Sequence, residues 1–200
     1  MTSGAILKYT TWSAGLAVAL AGLLLDLRYG VLTVFLLAAV WTDLANRKIP
    51  NRLVYSGVGL ALVCQTALPS GEGVWVSLQG LGLGLALFLP LYLVRAMGAG
   101  DVKLMAMAGA FVGPQLIIGA TLATLVAGGV MAVTAALRQR AFWRLIENLK
   151  VMFLGSMARL AAGQLPVPEQ PAASVGKLPY ALAIAAGTLG YLAWVQCMTG

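Results

Sequence analysis

Asp43 and Asp101 are the residues of this chain best suited to chemistry. Each stands where an apolar run meets a short polar loop, in Asp43-Leu44-Ala45-Asn46-Arg47-Lys48-Ile49-Pro50-Asn51 and in Gly98-Ala99-Gly100-Asp101-Val102-Lys103. Asp26 is the one further aspartate, and the chain has no histidine. A carboxylate at or just inside an apolar phase is expensive, so its presence points to function. Two carboxylates held close together do not both ionise easily and tend to keep one proton between them, titrating as a unit. Such a pair can cleave an amide. The ionised member takes a proton from water, and the protonated member donates to the carbonyl oxygen.

The neighbours suit that role. Gly98 and Gly100 remove side chains beside Asp101, which lets an extended backbone approach and permits unusual backbone angles. Pro50 stops helix propagation and biases Ile49 toward an extended conformation. Asn51 is expected to cap the next helix with its side-chain oxygen. Lys103 either positions or tunes Asp101, or snorkels to the membrane surface. Taken singly, each motif has a plainer explanation: Gly98-Ala99-Gly100 as an interhelical turn, and Asp43 as a solvated acid paired with Arg47 one turn on. Their joint occurrence on one side of a polytopic protein favours catalysis.

The elements that must position these residues are membrane helices. The 200 residues are 60% hydrophobic and 10% charged, and the mean hydropathy is +0.91. Soluble domains carry about 25% charged residues, so lipid must be the solvent for much of this surface. The net charge of +7, from 13 Lys+Arg against 6 Asp+Glu, would suggest nucleic acid in a soluble domain. The basic residues lie in short loops between apolar runs, so no nucleic-acid partner is expected. Cys64 and Cys197 form no CxxC pair, and without histidine there is no adequate ligand set for zinc. Neither metal nor cofactor is expected. Both cysteines should lie toward the outer half of the membrane, where a disulfide is conceivable but two buried apolar thiols are favoured.

The pattern predicts an all-α polytopic bundle of six to eight transmembrane helices, with one amphipathic helix on the cytoplasmic side. Apolar runs occupy 12–25, 31–41 with an end near Asp43, 53–68, 74–94, 102–112 and 115–137, and a last helix occupies 178–197. The first run contains Ala17-Val18-Ala19, which resembles a signal-peptide cleavage site, but it continues through Leu25 and reads as a helix. Residues 26–30 and 69–73 read as turns. Gly80 and Gly84 have the GxxxG spacing that lets helices approach closely. Segment 138–160 interleaves Arg138, Arg140, Arg144, Lys150 and Arg159 with apolar residues, as a helix lying in the interface would. Residues 161–177, with Pro166, Pro168 and Pro171, read as a linker. The whole chain, 1–200, is expected to be one integral-membrane domain with a catalytic core at about 31–137. Arg47, Lys48, Arg52, Arg95, Lys103 and the basic residues of 138–160 fall on one side, against Asp26, Arg28 and Glu72 on the other. The positive-inside rule therefore places both aspartates at the cytoplasmic face.

Asp43 followed by Arg47-Lys48-Ile49-Pro50-Asn51, then Gly98-Ala99-Gly100-Asp101-Val102-Lys103 two spans later, resembles the type IV prepilin peptidases, integral-membrane aspartic proteases of bacteria and archaea. The resemblance covers about 31–137, and Lys177-Leu178-Pro179-Tyr180-Ala181 looks like the family's final helix. It implies that Asp43 and Asp101 are the catalytic pair, supported by Gly98, Gly100, Ile49, Pro50, Asn51 and Lys103. It further implies a prepilin substrate, cut at the cytoplasmic face of the inner membrane, usually just after a glycine. The substrate's hydrophobic helix would stay in the bilayer, and pilus assembly machinery would be a further partner. Larger members carry a cytoplasmic domain with paired CxxC motifs and N-methylate the new amino terminus. This chain lacks those cysteines and looks like the short, protease-only form associated with tight-adherence (Flp-type) pili. Two other readings compete. Presenilin or signal-peptide-peptidase types share GxGD and a proline near the last helix but lack the Ile-Pro-Asn element. A small ion-coupled transporter or channel subunit would place its acids near the midplane, within a pseudo-repeat.

Overall fold

The computed structural model describes residues 26–93, 97–138, 150, 154–155 and 179–199. The elements among these residues are helices: α1 (Leu27–Asn46), α2 (Asn51–Ala67), α3 (Val74–Leu93), α4 (Ala99–Arg138) and α5 (Tyr180–Thr199). All but α2 are long and apolar enough to cross a membrane. The apolar run at 12–25, the linker 161–177 and nearly all of the amphipathic segment 138–160 lie outside the described residues.

Helix α1 begins earlier than the sequence pattern suggests. Residues 26–30 look like a turn because Asp26 and Arg28 are charged and Gly30 breaks helices. In the structure Asp26 is the N-cap, its carboxylate accepting the Arg28 N–H at 3.0 Å. The Arg28 side chain is buried rather than looped out. Its Nη2 donates to Asp26 Oδ2 at 3.2 Å, and its Nη1 donates to Gln65 Oε1 at 3.2 Å. At the other end Arg47 turns left-handed, φ 53°, and gives its N–H to the Asp43 carbonyl oxygen.

Helix α4 is broken at Gly113, whose φ of 77° and ψ of 174° are non-helical, and at Pro114, which has no N–H to give. A helix broken in a buried, apolar part of the bundle must find other partners for its carbonyls. Ser77 Oγ donates to Ala110 O at 2.9 Å, and Gln65 Nε2 donates to Phe111 O at 2.8 Å. Gln65 Oε1 also accepts the Glu72 N–H at 3.0 Å, so one buried amide ties α1, α2, α4 and the 69–73 turn together.

The break reverses the chain. A Cβ at Gly109 would lie 3.3 Å from Ile117 Cγ1, whereas a straight helix separates positions eight apart by roughly 12 Å. The first arm, 99–112, packs on α3 in the most extensive helix contact of the bundle. Gly80 lies against the Gly109 carbonyl, and a Cβ at Gly84 would sit 2.6 Å from the Met105 carbonyl oxygen. The GxxxG spacing thus serves the close approach it suggested. The second arm, 114–138, returns along α5, with Gly119 against Tyr191, Thr124 against Gly187 and Gly128 against Tyr180. Leu32 and Leu36 of α1, Phe88 of α3, Leu104, Met105, Met107 and Phe111 of α4, and Ile184 and Leu192 of α5 fill the core. Cys64 is buried beside this core. Cys197, near the end of α5, is exposed, contrary to the burial expected of it, and no disulfide joins the two.

Candidate active site

Asp43 occupies the last turn of α1 and is 8% exposed. Its Oδ2 accepts the backbone N–H of Ala181 at 3.2 Å. Ala181 is the second residue of α5, so that N–H is one of the four that a helix start leaves without an internal partner. Pro179 precedes the helix and has no N–H, and its carbonyl accepts the Leu182 N–H at 3.2 Å. A carboxylate from α1 therefore caps α5. Its charge is poorly placed at the C-terminal end of its own helix and well placed at the N-terminal end of the other. Asp43 is not the solvated, Arg47-paired acid of the plainer reading. Arg47 is exposed and meets Asp43 through its backbone N–H.

Asp101 is the third residue of α4. Its Oδ2 accepts the Gly98 N–H at 3.2 Å, while its own N–H is given to Gly98 O at 3.1 Å. The side chain reaches back to the residue that starts its helix, the same half of the reciprocal bonding that Glu or Gln supplies in a capping box. Asp101 lies within electrostatic reach of Asp43. Tyr180, the first residue of α5, lies within electrostatic reach of Asp101. The acids at the ends of two different apolar helices thus share one end of the bundle.

Two contacts clasp the motifs. A Cβ on Gly100 would lie 3.4 Å from Ile49 Cβ, so the Ile49 side chain covers the face that Gly100 leaves bare. Lys103 Nζ donates to Asn51 Oδ1 at 3.1 Å and stands 5.9 Å from the centre of the Tyr55 ring. Lys103 therefore bonds Asn51, not Asp101. Asn51 does not cap α2 as expected. Pro50 holds the N-cap position with no side-chain cap bond, and Asn51 is already inside the helix. A charge-assisted bond to an ammonium claims its oxygen instead. Pro50, with φ −65° and ψ 132°, is the extended stop between α1 and α2.

The structure adds two groups that the acid motifs do not point to. One is the Ala181 amide. The other is the Tyr180 ring, which packs edge-on to Phe88 at 6.5 Å between centroids and leans on Gly128. The signal for both was Pro179 at the opening of an apolar run, where helix amides are left open.

A family model of the Type IV leader peptidase family matches residues 30–133, more than half of the chain. The protein belongs to that family. Membership makes it a leader-peptidase-type protease with prepilins as its substrate class, and its apolar helices make it a multi-pass membrane protein. No curated protein and no solved structure matches the chain. The matched residues of this peptidase include both aspartates and both clasping contacts. They end before α5, although α5 supplies the amide bound to Asp43.

Proposed function

We propose that this protein is an aspartic endopeptidase with Asp43 and Asp101 as its catalytic pair. It removes the leader from type IV prepilins of the Flp type at the cytoplasmic face of the inner membrane, and it does not N-methylate the product. The observation that carries the reading is the convergence of the two carboxyl groups at one end of the bundle. Each is held through Oδ2 by a backbone amide at a helix start. No described residue donates to either Oδ1. Those oxygens are the ones left for a shared proton and an attacking water. The water loses a proton to the ionised carboxylate and adds to the scissile carbonyl carbon. The other carboxyl protonates the carbonyl oxygen. As the tetrahedral intermediate collapses, its C–N bond breaks. The carboxyl that took the water's proton gives it to the leaving amine, and a hydroxyl proton returns to the other carboxylate. The leader departs as a carboxylic acid.

Exposed Gly98 gives an extended leader access to Asp101, while the substrate's apolar helix rests against the lipid-facing surface. Arg47, Lys48 and Arg52 are exposed at the same end as the acids, which supports a cytoplasmic site. The opposite end carries Asp26 and Glu72, and its Arg28 is paired with Asp26. The protease-only activity and Flp-type substrate rest on the missing CxxC pairs.

Co-expression with a Flp-type prepilin, read by the size shift on a gel, tests the reading. Asp43→Asn and Asp101→Asn should reach the membrane at normal abundance and leave the leader uncut. Normal processing by either variant would end the two-carboxylate mechanism.

A further inference from the structure

We propose that the amino end of α5 is a working part of the site: the Ala181 N–H positions the Asp43 carboxylate, and the Tyr180 ring, seated between Phe88 and Gly128, holds that amide in place. The inference rests on Asp43 being one of the catalytic pair.

The Ala181 amide is the described donor to the Asp43 carboxylate, across a sequence separation of 138 residues. A carboxylate on the last turn of α1 has several side-chain rotamers open to it, and a reacting group off by about 1 Å can lose on the order of 100-fold in rate. Something outside α1 must therefore select the rotamer, and the amide does so. The position of the amide depends in turn on where α5 begins. Tyr180 fixes that point, because Gly128 leaves no room for a Cβ under the Tyr180 ring and Phe88 meets the ring on its edge. Phe88 is fully buried and Gly128 is buried, so this seat belongs to the interior of the bundle.

Tyr180 works through its ring, since no described residue hydrogen-bonds its hydroxyl. Tyr180 and Ala181 are positioning residues and need not touch the substrate. The last helix thereby becomes necessary for chemistry, although it lies outside the residues that define the family match.

The test uses the full chain in proteoliposomes with a purified Flp-type prepilin. Replacing the Tyr180–Ala181 amide by an ester deletes the one N–H and keeps every side chain. No intrahelical bond is lost, because that N–H has none to lose. The expected result is a fall in kcat of about 10- to 100-fold, with KM for the prepilin within about threefold. Tyr180→Phe, which keeps the ring, should stay within about threefold of wild type, and Tyr180→Ala should lower kcat as the ester does. A kcat within twofold of wild type for the ester or for Tyr180→Ala would overturn the inference. So would a loss carried by KM alone, or equal losses for Tyr180→Phe and Tyr180→Ala. Asp43→Asn and Asp101→Asn, measured beside them, keep the two failures apart. If those variants cleave normally, the underlying two-carboxylate reading fails. If they are inactive while the ester is not, the positioning role alone fails.

Discussion

At the scale of single residues, the proposed site is a pair of acids whose second oxygens are tied down and whose first oxygens no described residue engages. The two glycines before Asp101 have different surroundings, and the difference is testable. A Cβ at Gly98 would lie 3.2 Å from Asp101 Oδ2, tighter than an ordinary contact, while one at Gly100 would lie against Ile49 at 3.4 Å. Gly98→Ala should lower leader cleavage by about tenfold or more by displacing the carboxylate, in line with the sensitivity of rates to misplacement. Gly100→Ala should be milder and leave thermal stability unchanged. Equal effects in a cleavage assay would contradict this division. Exposed polar contacts matter less: an exposed hydrogen bond to a charged group contributes on the order of 1 kcal/mol. Asn51→Ala and Lys103→Gln should therefore each reduce cleavage by less than about tenfold. The acids were legible in the sequence because charge is rare in an apolar chain. The partners of Asn51 and Lys103 were not, because one bond joins residues 52 positions apart, and neither residue's local sequence prefers the other.

At the scale of elements, the site is held by how closely α3 and α4 approach and by how the break in α4 is closed. Gly80 faces the Gly109 backbone, whereas a Cβ at Gly82 would meet nothing within 4 Å. Gly80→Ala should destabilise the protein by about 1–3 kcal/mol, as overpacking does. Gly82→Ala should be neutral or slightly stabilising, since alanine is the better helix former. Thermal unfolding in detergent decides between them, and equal melting temperatures would refute the close approach. Gln65 is buried, and it serves Phe111 O, Arg28 and the Glu72 amide at once. Gln65→Leu strands those groups and should lower stability by about 1–3 kcal/mol. The spans of α2 and α3 were readable within two residues, because apolar runs bounded by Pro and Gly leave little choice. The start of α1 was not, since a charged Asp26–Arg28 pair looks like a loop until Gln65, far along the chain, gives the arginine a buried partner. Gln65 itself could have been flagged: a lone amide in an apolar run, in a chain whose Gly113-Pro114 step must orphan carbonyls.

At the scale of the whole molecule, the bundle has two unlike ends. One collects Asp43, Asp101 and exposed Arg47, Lys48 and Arg52, and the other collects the Asp26, Arg28, Gln65 and Glu72 network. The positive-inside rule then predicts labelling by a membrane-impermeant maleimide in a cysteine-free background. Glu72→Cys should react in intact cells and Lys48→Cys only after lysis. The reverse pattern would put the acids outside. In the proposed mechanism the two carboxyl groups act as one device, and kcat for the single and double Asp→Asn variants in proteoliposomes tests it most directly. Residues that act as a unit are not additive. Asp43→Asn, Asp101→Asn and the double variant should therefore all fall to the same residual rate. Measurable cleavage by one single variant, with the double variant losing the product of the two effects, would contradict it.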